Sequence, residues 1–174
     1  MSAELPLMRR SRPVLATGSL LVGVLLVGAA LLGSSTARAS NYALEEIPGL
    51  IPAEDAARLR AAGIQTTFAL LEHGAEPKRR KALATATKVP LHTLEGWVKM
   101  SDLMRVRGVG PDVARLLSAV GILTVVDLQK ADAARVAEAI LKANAQQKLS
   151  ENPPSAEHLA AWVAQAKNLP IVLR

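Results

Sequence analysis

An internal repeat constrains the fold of this chain more than any other feature of its sequence. Residues 56–70 align with residues 114–128 at a constant offset of 58, with identities at Ala, Leu, Gly, Ile and Thr. Further along, the Trp-Val pair at 97–98 recurs at 162–163, an offset of 65 that implies about seven extra residues in the second copy. The stretch 144–154, rich in Gln, Asn, Ser and Pro, is the expected place for them. Two copies of one unit therefore fill most of the chain beyond residue 44.

Each copy carries the local signals of a helical unit. A Pro near the first helical position opens a short helix, which is predicted over 52–62 and over 111–120. Each helix ends at a Gly suited to the left-handed position, and the Ile that follows is expected to pack back on the last turn: Gly63-Ile64 and Gly121-Ile122. A Thr then caps the next helix, Thr66 in one copy and Thr124 in the other, where Asp127 completes a variant capping box. Longer helices are predicted over 77–87, about 91–104, 132–143 and 155–166.

The residue types agree with an all-α fold. No stretch shows the sustained period-two alternation of a strand. The chain has four aromatic residues, so its core must be built from Leu, Val, Ile and Ala, which favours helices. It has no Cys, which excludes disulfides, thiolate zinc sites and cysteine nucleophiles. The three His lie far apart without metal-ligand spacing, and neither a catalytic triad order nor a nucleotide-binding fingerprint is present. We therefore expect no metal, no cofactor and no enzymatic activity.

The first 39 residues are predicted to be a signal peptide or a membrane anchor. Arg9, Arg10 and Arg12 precede an uncharged stretch, 14–33, whose uninterrupted apolar part begins at residue 20. A signal core needs roughly 7–15 apolar residues and a spanning helix roughly 20, so the segment lies between the two cases. Small residues then lead to a peptidase site between Ala39 and Ser40, which makes cleavage the preferred interpretation. An uncleaved N-terminal hydrophobic helix, a single transmembrane anchor, is the alternative.

Either outcome exports the remainder, because the arginines stay on the cytoplasmic side. Residues 40–174 are then periplasmic or extracellular, or are held at the membrane by the anchor. The leader also carries half of the net charge of +6, since it holds four Arg against one Glu and leaves 17 basic residues against 14 acidic ones. Bulk charge therefore gives little support to a nucleic-acid partner.

A Gly-hydrophobic-Gly turn between two helices is the most informative motif. The segment 103–117 reads Leu-Met-Arg-Val-Arg-Gly-Val-Gly-Pro-Asp-Val-Ala-Arg-Leu-Leu and resembles the helix-hairpin-helix motif. In that family the glycines, here Gly108 and Gly110, turn the chain tightly and point backbone N–H groups outward, while the apolar residue between them, Val109, plugs the gap between the helices. Such N–H groups beside a helix N-terminus suit a phosphate without base specificity. Arg105, Arg107 and Arg115 are the candidate charge partners, and Asp112 opposes an anion.

The first copy departs from this pattern. Ile51 stands near the second glycine position, and a β-branched residue is unfavourable at positive φ. Glu54 and Asp55 follow in the first turn of the next helix, where they suit the helix dipole and repel a phosphate. We expect that this hairpin does not present its N–H groups as the second one does.

At the level of the whole domain, the chain resembles a bacterial family catalogued as domain-of-unknown-function family 4332. The resemblance covers about residues 44–173 and rests on an ordered set: Ile-Pro-Gly at 47–49, Ala-Gly-Ile-x-Thr at 62–66, the hairpin segment, and the closing Trp-Val-Ala-Gln-Ala-Lys-Asn-Leu-Pro at 162–170. It implies an all-α fold with two tandem helix-hairpin-helix units in one compact domain, 40–174, the units spanning about 44–104 and 105–170. It implies DNA binding by analogy and no established reaction.

One further surface candidate is the basic cluster Lys78, Arg79, Arg80 and Lys81. It could contact phosphates or anionic lipid, but no aromatic residue interleaves it, and a solvated helix face is the preferred interpretation. Two functional hypotheses follow for the exported domain. The first is a non-enzymatic binding or scaffold role that contacts an unidentified protein in the cell envelope. The alternative is sequence-independent binding of double-stranded DNA, outside the cytoplasm, through Gly108 to Gly110 and the nearby cations.

Overall fold

Eight α-helices and one short 3-10 helix make up residues 40–174, the part of the chain that the computed structural model describes. The predicted leader and Ala39 of the predicted cleavage site lie outside these residues. The 3-10 helix spans Leu44–Glu46, and the α-helices are α1 (Ala53–Ala61), α2 (Thr67–Gly74), α3 (Pro77–Thr87), α4 (Leu91–Leu103), α5 (Pro111–Ala119), α6 (Val125–Gln129), α7 (Ala133–Gln147) and α8 (Ala156–Ala166). Within this range the only β pairing is an isolated bridge between Ala43 and Thr66, so the predicted all-α class is confirmed.

The internal repeat appears as two sets of four helices in the same order. Helices α1 to α4 correspond to α5 to α8, and the predicted boundaries hold to within a few residues. The extra residues of the second copy lie near the predicted place. Helix α7 has 15 residues against 11 in α3, and the loop that follows it, 148–155, has eight residues against three in 88–90.

The predicted helix ends and caps are confirmed in both copies. Gly63 and Gly121 have φ of +87° and +86°. The following isoleucines donate their N–H groups to carbonyl oxygens in the last helical turn, over 3.0 Å from Ile64 to Leu59 and 2.9 Å from Ile122 to Leu117. The hydroxyls of Thr66 and Thr124 accept from the N–H groups of Ala69 and Asp127, and the Asp127 carboxylate accepts in return from the Thr124 N–H over 2.9 Å.

Helix α4 joins the two copies into one core. It packs against α2 and α3 on one side and against α5 and α6 on the other. The buried side chains form one continuous cluster that runs from Leu44 to Ala166. Trp97 and Trp162 occupy matching places in α4 and α8 and are 5 % and 7 % exposed, as the predicted packing role requires. Residues 40–174 lie within one compact unit and share this core, as expected of a segment that folds by itself.

A buried ion pair fixes the end of α4 to the second copy. Asp102 is 2 % exposed, and its Oδ1 accepts from Nε and Nη2 of Arg105 over 2.9 and 2.6 Å. Its Oδ2 accepts from the backbone N–H of Val125, the first residue of α6, over 2.8 Å. The Arg105 guanidinium also donates to the carbonyl oxygen of Pro170 over 2.9 Å. These bonds satisfy a carboxylate that would otherwise be costly to bury.

None of the helices within residues 40–174 is both long enough and apolar enough to cross a membrane.

Candidate functional site at the second hairpin

The second hairpin joins α4 to α5 in the conformation that its sequence predicts. Gly108 has a φ of +92°, a backbone conformation that L side chains rarely adopt. Gly110 is the N-cap of α5 with φ −93° and ψ −178°, extended backbone that does not require a glycine. Val109 is fully buried between the helices, and its N–H donates to the carbonyl oxygen of Val106 over 3.0 Å. The apolar residue therefore plugs the hairpin and leaves its two glycine neighbours at the surface.

The backbone N–H groups of Gly108 and Gly110 are left for a ligand or for water. Within residues 40–174 neither group donates a hydrogen bond. Gly108 is exposed and Gly110 is half-buried. The positive end of the α5 dipole adds to these donors. The hairpin therefore has the geometry of an anion-binding turn.

Two aromatic side chains, which the sequence did not associate with the hairpin, border these glycines. The indole Nε1 of Trp162 lies 3.0 Å from the point that a Cβ on Gly108 would occupy, and the Tyr42 hydroxyl lies 3.2 Å from the equivalent point on Gly110. Neither polar atom has a hydrogen-bond partner within the described residues. No local sequence signal connects these positions, because Tyr42 precedes the first helix and Trp162 belongs to the last.

The three candidate arginines of the hairpin have different surroundings. Arg105 is held by Asp102 and by Pro170, with its side chain 11 % exposed. Arg107 is exposed and makes no ion pair within residues 40–174. Arg115 is half-buried, and its Nη1 lies 3.6 Å from the Cβ position of Gly49 in the first hairpin. Asp112 is exposed in the first turn of α5. Within the described residues, Arg107 and Arg115 therefore make no ion pair, and Asp112 opposes an anion at the same helix.

Within the part of the chain that the structure describes, the first hairpin keeps one unpaired glycine N–H, that of Gly49, and loses the second. The Leu50 N–H donates to the Ile47 carbonyl oxygen over 2.8 Å, as Val109 does in its own turn. The Ile51 N–H, at the position of Gly110, donates to that same oxygen over 3.0 Å, and the Ile51 side chain is fully buried. The prediction that this hairpin presents its N–H groups differently is confirmed.

The basic cluster on α3 is only partly a solvated face. Lys78 and Lys81 are exposed, and Arg79 pairs with Glu76 over 3.3 Å. Arg80, in contrast, is 6 % exposed and lies 3.6 Å from the carboxylate of Glu95. It also donates to the carbonyl oxygen of Arg174 over 3.1 Å. The prediction of a solvated face is wrong for Arg80, because the C-terminal segment covers it.

An apolar groove lies on the first copy, away from any predicted site residue except Arg79. It has a volume of about 320 Å³ and lies between the end of α1, α2 and α3. It is lined by Ala62, Ile64, His73, Arg79, Ala82, Leu83 and Ala86. The Nδ1 atom of His73 lies 2.9 Å from the carbonyl oxygen of Ala69, one turn earlier in α2. Five of the seven lining residues are Ala, Ile or Leu, so the groove suits an apolar side chain.

Comparison with known proteins identifies a family and nothing more specific. The sequence profile of the family described as Domain of unknown function (DUF4332) matches residues 49–169, well over half of the chain. No curated protein and no solved structure matches the chain.

Proposed function

The chain belongs to the family of the Domain of unknown function (DUF4332), and we propose that it is a non-enzymatic binding module of the cell envelope that contacts another protein. Its place in the envelope rests on the arginine-flanked apolar leader. The contact with a protein rests on the surface of residues 40–174.

The apolar groove on the first copy is the observation that carries this proposal. Its volume of about 320 Å³ accommodates one or two aliphatic or aromatic side chains of a partner. The rim supplies His73 and Arg79, polar groups that can orient a peptide over an apolar floor. An apolar pocket with a few polar groups at its edge is the usual form of an anchoring point in a protein interface.

The distribution of the cations also favours a protein over duplex DNA as the main partner. Backbone binding needs a set of free Lys and Arg side chains that neutralise successive phosphates. Arg80 and Arg105 are used in internal bonds, and Arg79 pairs with Glu76. Within residues 40–174, only the second hairpin leaves both turn N–H groups unpaired. Three of the seven predicted cations are therefore paired internally, which reduces the charge available to a duplex.

A charge placed in the groove tests the proposal. Ala82 is exposed in the middle of α3 and lines the groove, so Ala82→Glu adds a carboxylate there with little effect on the core. The matched control is Ala160→Glu, an exposed alanine in the middle of α8. Cross-linking in envelope extracts, followed by mass spectrometry, should recover a partner with the unmodified protein and with the control, and lose it with Ala82→Glu. Equal recovery with all three proteins, or with none, would refute a contact through the groove.

Binding of duplex DNA through the second hairpin is a second candidate, because the Gly108 and Gly110 N–H groups are unpaired within the described residues. Its signature is a strong fall in affinity with salt, with a slope near the number of neutralised phosphates. The test measures binding of duplex DNA to residues 40–174 at two salt concentrations. The double variant Gly110→Val with Arg107→Ala should abolish it. Absence of binding at low salt, or unchanged binding by the double variant, would remove this candidate.

A further inference from the structure

We propose that the C-terminal segment, residues 170–174, occupies a peptide-binding slot on the first copy, from which an extended acidic segment of a partner protein displaces it. A cavity of about 340 Å³ lies between this segment and the start of α3. Of the residues that line the cavity, only Arg79 also lines the apolar groove. The slot is therefore a second protein contact, and either contact can hold without the other.

The segment is held through its main chain. Within the described residues it takes part in three hydrogen bonds, and each of them uses a main-chain atom of the segment. The Arg174 N–H donates to the Ala75 carbonyl oxygen over 3.2 Å, and Arg80 donates to the main-chain oxygen of Arg174 over 3.1 Å. At the other end, Arg105 donates to the Pro170 carbonyl oxygen over 2.9 Å. Main-chain bonds do not depend on the side chains of the bound segment, so another extended peptide can make the same ones.

The side chains of the segment add only partial burial. Val172 and Leu173 are half-buried against the core, whereas Ile171 is 66 % exposed. The segment forms neither helix nor strand. Segments with few buried apolar contacts and no regular structure open at low free-energy cost compared with the core. We therefore expect the segment to leave the slot while the eight helices stay folded.

Arg80 is the part of the slot that the helix packing does not require. It is only 6 % exposed, yet its Nε has no hydrogen-bond partner within the described residues, and the Glu95 carboxylate lies 3.6 Å from its guanidinium, beyond hydrogen-bond distance. Glu76 and Asp132 are the N-caps of α3 and α7, so Arg80 and Val136, each four residues later, hold matching places. Val136 packs there against the core. Because an apolar residue suffices at this place and a buried arginine is costly, we assign Arg80 to holding a bound main chain.

Local charge selects an acidic occupant. The basic cluster at 78–81 brings four cations to the start of α3, while Glu76 and Glu95 supply two carboxylates. The segment itself brings a further cation, Arg174, which lines the cavity together with Arg79. A partner with Asp or Glu in that place replaces like-charge repulsion with attraction. The occupant that suits the slot is therefore an extended peptide whose two packed apolar residues are followed by a carboxylate.

The probe is the synthetic peptide Leu-Pro-Ile-Val-Leu-Glu with a blocked C-terminus, which repeats residues 169–174 except for the charge at the last position. In a titration of isotope-labelled residues 40–174, it should shift the amide signals of Ala75 and Arg80 until they saturate. The signals of 171–174 should move together to the positions of an unstructured chain. A tethered segment competes at an effective concentration in the millimolar range, so about millimolar peptide is needed. Slot and segment signals that stay fixed throughout would refute the proposal.

Variants that vacate the slot separate displacement from folding. Val172→Ser with Leu173→Ser removes the packed side chains of the segment and leaves the slot intact, so it should strengthen peptide binding about tenfold. Ile171→Ser is the matched control, because this side chain is largely exposed, and it should leave peptide affinity unchanged. Equal peptide affinities of the double variant and the control would show that the segment does not compete for the slot, and would refute the proposal.

Arg80→Met, combined with the two serine substitutions, tests the anchor. It should weaken peptide binding about tenfold, because it removes a charge-assisted donor to the peptide main chain. Arg135→Met is the control, since it removes an exposed arginine from the first turn of α7 and should have no effect. The same peptide with Arg at its last position should bind about threefold more weakly. Equal affinities for the two peptides would overturn the acidic assignment, and equal effects of the two methionine variants would overturn the role of Arg80.

A lipid surface is the competing partner for the same cations. Phosphatidylcholine vesicles that contain phosphatidylglycerol present their negative charge on a flat surface, which does not reach the recessed Arg80. Plain phosphatidylcholine vesicles are their control. Binding of the vacated-slot variant to the anionic vesicles alone, lost in Arg80→Met, would overturn the peptide assignment in favour of a membrane contact. Binding that is equal for both vesicle types, together with the peptide response, supports the peptide.

Discussion

Asp102→Asn should destabilise residues 40–174 by about 3 kcal/mol, because it leaves a mostly buried arginine without its counter-charge. The carboxylate is 2 % exposed and accepts from both Arg105 and Val125, on opposite oxygens. Asparagine keeps the size but has a single acceptor oxygen, so its amide group must face one of these two donors. The variant loses one charge-assisted hydrogen bond, and its amide N–H group faces one of the two donors. These two effects together account for the destabilisation of about 3 kcal/mol.

Urea unfolding followed by circular dichroism measures this effect, with an unchanged m-value as evidence that the same structure unfolds. The surface control is Glu138→Gln, which removes an exposed pair with Lys142 and should not shift the midpoint measurably. The double variant Asp102→Asn with Arg105→Met should be about 2 kcal/mol more stable than additivity predicts, since the unpaired charge is gone. A cost for Asp102→Asn no larger than that of the control would refute the argument that this pair anchors α4 to the second copy.

Three other predictions follow from single features. Gly108→Ala should cost about 1–2 kcal/mol because φ is +92° there, whereas Gly96→Ala, in a helix with open space at its Cβ, should be neutral or stabilising in the same unfolding assay. The hydrogen bond and the charge of Lys142 hold the pKa of Glu138 below its ordinary value. The contribution of this exposed pair is too small to shift the urea midpoint, and it is present above the unfolded pKa and lost as pH falls through the folded pKa. Lys142→Met should raise the pKa of Glu138, measured as a titration midpoint by NMR, to its ordinary range. An unchanged midpoint would contradict the assignment of the lowered pKa to Lys142. Mass spectrometry of the native protein should find Ser40 at the N-terminus if the leader is cleaved, whereas a start at Met1 or Ser2 would establish the anchor.

The fold was largely predictable because its signals are local. A glycine after a helix, a threonine before the next one and a proline in a first turn each act within about four residues, so the repeat locates helices without knowledge of the packing. The candidate site was predictable only in its backbone. Gly108, Val109 and Gly110 were assigned from the motif, and Val109 is buried as expected. Trp162 was predicted to pack, and its contact with Gly108 could not be anticipated from one sequence.

The sequence by itself determined two copies of a four-helix unit, their caps and the one hairpin with two glycines, because each depends on residues close together in the chain. Tertiary structure alone decided which charges stay free. Arg80 and Arg105 form ion pairs with Glu95 and Asp102, while Arg107 remains exposed. The tertiary structure also brings Tyr42 and Trp162, from opposite ends of the domain, to the turn at Gly108 and Gly110. The physical reason is that burial and pairing depend on which distant segments share the core, and a local pattern contains no information about that choice.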